Sequence, residues 1–342
     1  MSTVQRFLYP LDTLALLPSW ECDVACAHCV FSSSPAMKGR LPLDRAEIAI
    51  SELRAISTVQ RVTVSGGEPF LDFDYLTAIA RRTAIEKLAF RVVTNGSFAE
   101  SDDLAMARLR TLQDIGLESL ALSWDEFHHR FLDPARVRTL LRSARRLGIS
   151  VRVTVVVTKS KSVASSIALL ESEGFELPFT QVRCLPVGRA ARQVSRDDLL
   201  PVPAWDRGRA CRNDFDTLSI THDGSVYPCC AVGGFTPGLR LGSVHSEPLE
   251  DLLRRRETDL RWIALATKGP SSFLRYATAE EFVTLGIDEG MHDCVKCHRL
   301  FSSPLGDILV NRSKAALHAE ADRIVAGTAL SIPEETGAAS KR

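Results

Sequence analysis

The chain alternates short apolar runs with segments of helical periodicity between Thr13 and Leu185. Apolar strands separated by helices form parallel sheets, because each crossover helix covers one face of the sheet. Six such units predict a partial (β/α)6 barrel of the TIM type within the α/β class. The predicted strands are Thr13–Trp20, Arg61–Ser65, Phe90–Thr94, Ser119–Ser123, Val151–Val157 and Thr180–Leu185. The predicted helices are Asp44–Ile56, Tyr75–Ala84, Asp103–Ile115, Ala135–Leu147 and Val163–Glu173.

The pattern changes after Pro186, and the second part of the chain is expected to be a smaller module. Arg189–Ala210 is polar and rich in arginine, which is typical of a linker. The region from Cys211 to Cys297 predicts short strands and turns, with a helix near Leu249–Glu257. A last helix is expected at Ser313–Val325, and the composition of Gly327–Arg342 predicts a disordered tail. The predicted domains are 10–190, 205–305 and 306–342.

Composition excludes some classes of function. The chain has 342 residues, of which 45% are apolar, and its 42 basic and 42 acidic side chains cancel. That balance gives no electrostatic basis for binding nucleic acid or an anionic membrane. No apolar run approaches the ~20 residues that span a bilayer, and Met1–Pro10 lacks the pattern of a secretory signal. We therefore expect a cytoplasmic protein, whose nine cysteines bind metal or catalyse rather than form disulfides.

Three cysteines follow the first predicted strand at a spacing that suits a soft-metal centre. Cys22, Cys26 and Cys29 form Cys-x3-Cys-x2-Cys, and three thiolates on one short loop can surround one face of an iron–sulfur cluster. No fourth cysteine is near, so one coordination position would stay open, which indicates chemistry rather than scaffolding. Chance buried cysteines, or a zinc site completed by His28, are the alternatives.

This motif resembles the signature of the radical S-adenosylmethionine (SAM) superfamily. The resemblance implies a 4Fe-4S cluster whose open iron binds the amino and carboxylate groups of SAM. It also implies an electron donor of the flavodoxin or ferredoxin type, and reductive cleavage of SAM to methionine and a 5′-deoxyadenosyl radical that removes a substrate hydrogen. The protein then supplies position and excludes water. His28 stands where the family often has an aromatic ring near the adenine, although an exposed loop histidine is the simpler interpretation.

Further candidate residues follow the other predicted strands, where barrel enzymes collect their functional groups. The segment Gly66-Gly67-Glu68-Pro69 is similar to the family motif that binds the methionine amino group, and its glycines would allow close approach of a ligand. Asn95 ends the third strand, where relatives place SAM, although Asn-Gly is also a common turn. The resemblance implies SAM contacts for Gly66, Gly67, Glu68, Pro69, Asn95, Ser123, Asp125 and Arg152; Arg152 is equally explained as a surface arginine.

A histidine pair continues from the fourth strand. In Glu126–Phe131 (EFHHRF), His128 and His129 lie between two aromatic residues at the expected mouth of the site. Either could contact substrate or act as an acid or base, and His128 is taken as a catalytic candidate. A solvated pair is the alternative. The sixth strand runs into Pro186–Ala190, similar to the Pro-x-Gly-Arg-Ala segment that ends the barrel in many relatives with an extra cluster domain.

Four later cysteines predict a second centre without an open position. Asp223-Gly224 predicts a hairpin that returns Cys229 toward Cys211, and Cys294-x2-Cys297 adds two thiolates. The pattern resembles the SPASM/twitch extension of radical SAM enzymes. Because Cys297 is the last cysteine, the truncated twitch form with one auxiliary 4Fe-4S cluster is expected, with a zinc site as the alternative. The predicted ligands are Cys211, Cys229, Cys294 and Cys297.

Two cysteines are left unassigned, Cys184 and Cys230. Cys184 is interpreted as a small buried hydrophobe in the sixth strand. Cys230 neighbours a ligand and is a candidate donor of a hydrogen atom to a substrate radical, as an epimerase requires. A buried thiol, or Cys230 replacing Cys229 as the ligand, explains it equally well.

The leading function is radical modification of a peptide, by epimerisation, cross-linking or oxidation, because enzymes with this extension often act on peptides. One alternative is dehydrogenation of an alcohol on an aminoglycoside-type sugar or cyclitol, and another is a non-catalytic iron–sulfur or zinc protein. No peptide-recognition domain is evident before the first strand, since only Met1–Asp12 precede it. A separate partner would then deliver a peptide.

Overall fold

The computed structural model describes residues 10–170, 178–208, 211 and 216–329. Its central feature is one sheet of nine strands, in the order β6-β5-β4-β3-β2-β1-β7-β8-β9. The strands are β1 Thr13–Leu17, β2 Arg61–Val64, β3 Ala89–Thr94, β4 Leu117–Ser123, β5 Ser150–Val157, β6 Phe179–Arg183, β7 Thr217–Thr221, β8 Ser225–Tyr227 and β9 Gly242–Ser243.

The first six strands are parallel, and each pairs with its predecessor in the chain. The partial barrel predicted from the sequence is thereby confirmed. Its helices are α1 Leu43–Ile56, α2 Phe73–Ile85, α3 Asp102–Ile115, α4 Glu126–His129, α5 Pro134–Leu147 and α6 Val163–Ala168. The short helix α4 was not predicted, and it begins where Asp125 caps the backbone N–H groups of Phe127 and His128.

The second module shares its sheet with the barrel, which the sequence did not indicate. Strand β7 pairs in parallel with β1, from Thr13 opposite Thr217 to Leu17 opposite Thr221. The predicted hairpin at Gly224 is present, and it adds β8 and β9 as antiparallel strands. Because every residue of β7 is buried, this pairing protects an edge of β1 that would otherwise be open.

The remaining helices cover the second module. They are α7 Ala190–Gln193, α8 Leu249–Thr258, α9 Leu260–Lys268, α10 Ser271–Leu274, α11 Ala279–Leu285, α12 Asp293–Phe301 and α13 Leu305–Ala329. Helix α8 matches its prediction, whereas α13 begins eight residues before the expected Ser313. The predicted linker contains α7, and most of the tail predicted from Gly327 lies outside the described residues. Among the described helices, none combines the length and apolar character needed to cross a membrane.

Candidate functional site

The loop that carries the first three cysteines is held against the end of β2. The backbone N–H of Gly67 donates to the carbonyl of Ser19 at 2.8 Å, and that of Glu68 donates to the carbonyl of Glu21 at 2.9 Å. A Cβ on Gly67 would lie 1.8 Å from the Glu21 oxygen, and Gly66 has φ +119°. Only glycine allows this approach, so the two glycines position the cysteine loop as well as any ligand.

A cavity of about 220 Å³ lies beneath this loop, at the carboxyl ends of the strands. It brings together most of the residues expected from the sequence, although they come from five separate segments. The walls also include residues that sequence reasoning did not assign to the site, notably Cys184 and Arg183 at the end of β6 and Val232 from the second module. The expected residues that line it are Cys22, Cys26, His28, Cys29, Gly66, Gly67, Glu68, Asn95, Ser123 and His128.

Glu68 is a buried carboxylate that faces the cavity. It accepts hydrogen bonds from the Thr94 hydroxyl at 2.8 Å, and from the backbone N–H groups of Asn95 at 2.8 Å and Phe70 at 3.1 Å. Burial raises the pKa of Glu68 to about 7, because these hydrogen bonds only partly replace water. A cationic group in the cavity would restore the charged carboxylate, which suits an amino group as the ligand.

Asn95 ties the third strand to the cysteine loop. Its Nδ2 donates to the Asp23 carboxylate at 2.9 Å and lies 3.8 Å from the sulfur of Cys22. Its Oδ1 accepts from the backbone N–H of Ser97 at 2.8 Å. The side chain therefore supports the loop, in addition to lining the cavity. Asp23 was missed, since nothing in the sequence distinguishes this loop carboxylate.

Asp125 does not line the cavity, although the resemblance implies a SAM contact for it. The residue is fully buried, and its carboxylate bonds His128 Nδ1 at 2.8 Å and lies 3.4 Å from His28 Nε2. Burial alone would raise the pKa of Asp125, but the charge and hydrogen bond of His128, with those of His28, hold it well below its usual range. Asp125 thus acts on the site through two histidines that do line it.

The two histidines differ in their electrostatics. Burial lowers the pKa of His28, whose ring stacks on Phe127 with centroids 4.9 Å apart. The Nδ1 atom of His28 is buried without a hydrogen-bond partner. Burial alone would also lower the pKa of His128, but Asp125 raises it well above the usual value. His129, the second member of the predicted pair, is exposed and packs on Trp124 instead.

Arg189 clamps the cysteine loop from the side of β6, and sequence reasoning did not give it this role. Its buried guanidinium donates to the carbonyls of Cys26 at 2.8 Å, Ser32 at 2.7 Å and Ser33 at 2.6 Å. Its backbone N–H donates to the carbonyl of Cys29 at 2.9 Å. The similarity of Pro186–Ala190 to the Pro-x-Gly-Arg-Ala segment of relatives singled out this region of the sequence, but it did not show that Arg189 would contact the cysteine loop.

Two predicted cofactor contacts are displaced from the cavity. Arg152 lines a different cavity of about 600 Å³, together with Arg91 and Glu118. It is the third residue of the eight in β5, whereas the main cavity lies at the carboxyl end, so the structure does not bring Arg152 to the other expected SAM contacts. Pro69 begins a short 3-10 turn and lines a small adjacent cavity, not the main one.

The four later cysteines come together as predicted. Cys211, Cys229, Cys294 and Cys297 line one small cavity, whereas Cys230 is exposed and does not. Burial raises the pKa of the Cys297 thiol well above its usual value, as do the charges of the other three cysteines. A Cβ on Gly234 would lie 2.5 Å from the sulfur of Cys229, so glycine leaves room beside the thiols.

An aromatic contact joins the two cysteine sites. The ring of Phe31, next to the first cysteine loop, lies 5.0 Å from Phe235 and 4.3 Å from Trp20. Phe235 also contacts Tyr227 at 5.3 Å, just before Cys229. The second module therefore packs directly on the loop that forms the first site.

Both cysteine sets fit iron–sulfur clusters by the chemistry of their donors. Buried thiolates repel each other and lose hydration, so the raised pKa values of Cys22 and Cys297 describe sites that need bound cations to hold thiolates. The first set has three thiols on one loop, in a cavity that Glu68 and Cys184 also line. The second set has four thiols in an apolar cavity, as in a closed centre.

Known families match both parts of the chain. The model of the radical SAM superfamily matches residues 18–159. This range contains the residues that line the cavity from Cys22 to Val156. The model of the SPASM iron–sulfur cluster-binding domain matches residues 211–273, which include Cys211 and Cys229.

Relatives and a solved structure are similar to parts of the chain. The "Putative peptide biosynthesis protein YydG" of Bacillus subtilis (strain 168) is 22% identical over 255 residues, covering 74% of this chain and 80% of that protein. The GTP 3′,8-cyclase of Xanthomonas axonopodis pv. citri (strain 306) is 28% identical, covering 59% of this chain and 54% of its own length. The crystal structure of BtrN in complex with AdoMet and 2-DOIA is 15% identical, with TM-score 0.48, and covers 75% of this chain and 88% of that one.

Proposed function

This chain belongs to the radical SAM superfamily and carries a SPASM-type iron–sulfur domain, and we propose that it modifies a peptide by radical chemistry. The observation that supports the radical step is one cavity that combines three cysteines with Glu68 and the glycines of β2. The observation that supports a peptide substrate is the similarity to YydG, whose name refers to peptide biosynthesis and whose match spans most of both chains.

When bound, SAM and the reduced 4Fe-4S cluster supply a 5′-deoxyadenosyl radical that removes a hydrogen atom from the substrate. Cys22, Cys26 and Cys29 would hold this cluster, and Glu68 would accept hydrogen bonds from the methionine amino group of SAM. The backbone at Gly66 and Gly67 leaves room for that group. A flavodoxin or ferredoxin would supply the electron.

The size of the cavity supports a substrate position outside it. The cavity of about 220 Å³ is small even for a small-molecule pocket, and this supports a peptide that binds outside it. We place the peptide at the mouth, beside the segment of the second module that contributes Val232. The exposed thiol of Cys230 lies two residues away in the chain, whereas Cys184 is enclosed in the cavity wall, where burial raises its pKa to about 11.

This arrangement favours epimerisation among the peptide reactions, with Cys230 as the hydrogen donor. The radical step would remove hydrogen from an α-carbon, and the Cys230 thiol would return hydrogen to the opposite face. The thiyl radical so formed must regain an electron and a proton, which the flavodoxin or ferredoxin and solvent would supply. The auxiliary cluster would be held by Cys211, Cys229, Cys294 and Cys297. Of these, Cys229 directly precedes Cys230 in the chain.

The first test is reductive cleavage of SAM by the anaerobically purified protein. We expect 5′-deoxyadenosine and methionine with dithionite, loss of both in a C22S/C26S/C29S variant, and retention in C184S. Protein with full iron content that does not cleave SAM would support a non-catalytic iron–sulfur protein instead.

The second test identifies the substrate class. Short peptides encoded beside the gene are incubated in D2O, and one deuterium per epimerised residue is expected at the α-carbon. Deuterium should be absent with C230S, although SAM cleavage continues. Hydrogen transfer into 5′-deoxyadenosine from a deuterated aminoglycoside-type sugar or cyclitol, but from no peptide, would support alcohol dehydrogenation.

A further inference from the structure

The cavity of about 600 Å³ that Arg152 lines lies on the inner face of the partial barrel, and the proposed chemistry does not use it. All the residues that line it belong to strands β2 to β5. Its two arginines, Arg91 and Arg152, are half-buried and exposed, and they alternate along their strands with buried residues such as Phe90 and Val153. Since successive side chains of a strand point to opposite faces, the arginines lie on the face opposite the buried residues.

Small side chains leave this part of the barrel open. The interior of such a barrel is ordinarily filled by layers of bulky branched residues. Here the strand register places Arg91 opposite Ser119, and Arg152 opposite Ala121. The resulting volume lies within the ~300–1,000 Å³ of ligand pockets, so the cavity has room for part of a substrate.

The charged residues of the cavity favour an anionic ligand. Arg91 is paired with Glu118 through its Nε atom. Arg152 forms no ion pair in the part of the chain that the structure describes. Two guanidinium groups and one carboxylate leave one net positive charge. A guanidinium presents a planar fork of N–H donors whose geometry matches a carboxylate, so a carboxylate is the group that suits this cavity.

The cavity adjoins the one that holds the first three cysteines, because Val93 lines both. Arg152 lies two residues before Thr154, which is opposite Ser123 at the end of β4. The distance along the strand is therefore about 7 Å. An extended peptide covers that distance in about two residues. The sheet runs from β6 to β9 and does not close in the described residues, so its inner face can be reached from the side.

We propose that Arg152 and Arg91 bind a carboxylate of the peptide substrate, within about three residues of the position that is modified. The inference rests on the proposed function and adds a substrate requirement to it. The carboxylate belongs either to an acidic side chain or to the free C-terminus of the peptide. Arg152 contacts it directly, and Arg91, held by Glu118, supplies the second guanidinium.

The test measures the KM and kcat of the full-length holoprotein. The probe is the peptide encoded beside the gene that takes up deuterium in D2O. R152M should raise the KM for this peptide about tenfold, with a smaller effect on kcat, because a charge-assisted hydrogen bond is lost. R152K keeps the charge and should fall between R152M and the wild type. Arg81 is exposed on helix α2 and lines neither cavity, so R81M is the matched control and should keep the wild-type KM.

Two altered peptides identify the carboxylate. In one, the C-terminus is amidated. In the other, each Asp or Glu within three residues of the modified position is replaced by Asn or Gln. One of these peptides should raise the KM of the wild-type enzyme about tenfold. R152M should then add little to that increase, because both changes remove the same interaction.

The results separate this inference from the proposed function. If R152M has the KM of R81M, or if neither altered peptide raises the wild-type KM, the carboxylate site is overturned. Effects of R152M and of the altered peptide that simply multiply would also overturn it, because the two groups would then not interact. A wild-type protein that cleaves SAM but modifies no peptide would overturn the proposed function, and this inference with it.

Discussion

Replacing Arg189 by methionine should release the loop that carries the first three cysteines. The guanidinium is 8% exposed and donates to three backbone carbonyls of that loop, at 2.6 to 2.8 Å. Hydrogen bonds from charged groups contribute about 1.5 kcal/mol or more each, so loss of all three costs roughly 4–5 kcal/mol. The whole free energy of unfolding of a typical domain is only about 5–15 kcal/mol. Because all three lost hydrogen bonds hold the same loop, we expect this loop to open locally and the first cluster to be lost.

Iron content and cluster absorption after anaerobic purification measure this effect. R189M should lose the iron of the first cluster and retain that of the second, whereas R189K should lose less because lysine can still donate to one or two carbonyls. Arg192 lies in helix α7, directly after Arg189, and is exposed, so R192M is the matched control and should load fully. If R189M had the iron content and SAM cleavage of the wild type, Arg189 would not be needed to hold the cysteine loop in place.

Four further substitutions test other parts of the two sites. G67A should abolish SAM cleavage, because its Cβ would lie 1.8 Å from the Glu21 carbonyl; iron and SAM binding at wild-type levels would contradict this. With a pKa of about 7, Glu68 becomes protonated at lower pH, so the affinity for SAM should fall about tenfold per pH unit below 7. The E68Q variant should bind SAM weakly, and its affinity should not depend on pH in this range. C229S should lose the iron of the second cluster while C230S keeps it, and the reverse result would reassign the ligand.

The barrel and its cysteines were predictable because their signals are local. Strand periodicity extends over five to eight residues, and the spacing of Cys22, Cys26 and Cys29 fits within one loop. The position of Arg152 relative to the site depends instead on how β4 pairs with β5. Arg152 is opposite Ala121 in the register of β4 and β5, two residues before the pair Ser123 and Thr154. A side chain placed there lies about 7 Å short of the strand ends where the site forms.

The unpredicted features depend on contacts between distant parts of the chain. Arg189 bonds the carbonyl of Cys26 across 163 positions, and β7 pairs with β1 across about 200. Neither the periodicity of a segment nor the spacing of its residues predicts which distant part of the chain it will contact. Asp125 is an intermediate case, since its bond to His128 spans three residues and is a recognisable helix cap, whereas its approach to His28 required the fold.

The position of β1 explains why two cysteine centres with separate sequence signatures share one structural unit. β1 leads into the first cysteine loop and lies between β2, which supplies the glycines, and β7, whose hairpin leads to Cys229. Backbone bonds at Gly67, the Arg189 clamp and the Phe31–Phe235 contact hold the same loop from three sides. A displacement of the second module would therefore move a wall of the reaction cavity. Packing of the second module, through Phe235, therefore supports the loop that carries the first three cysteines.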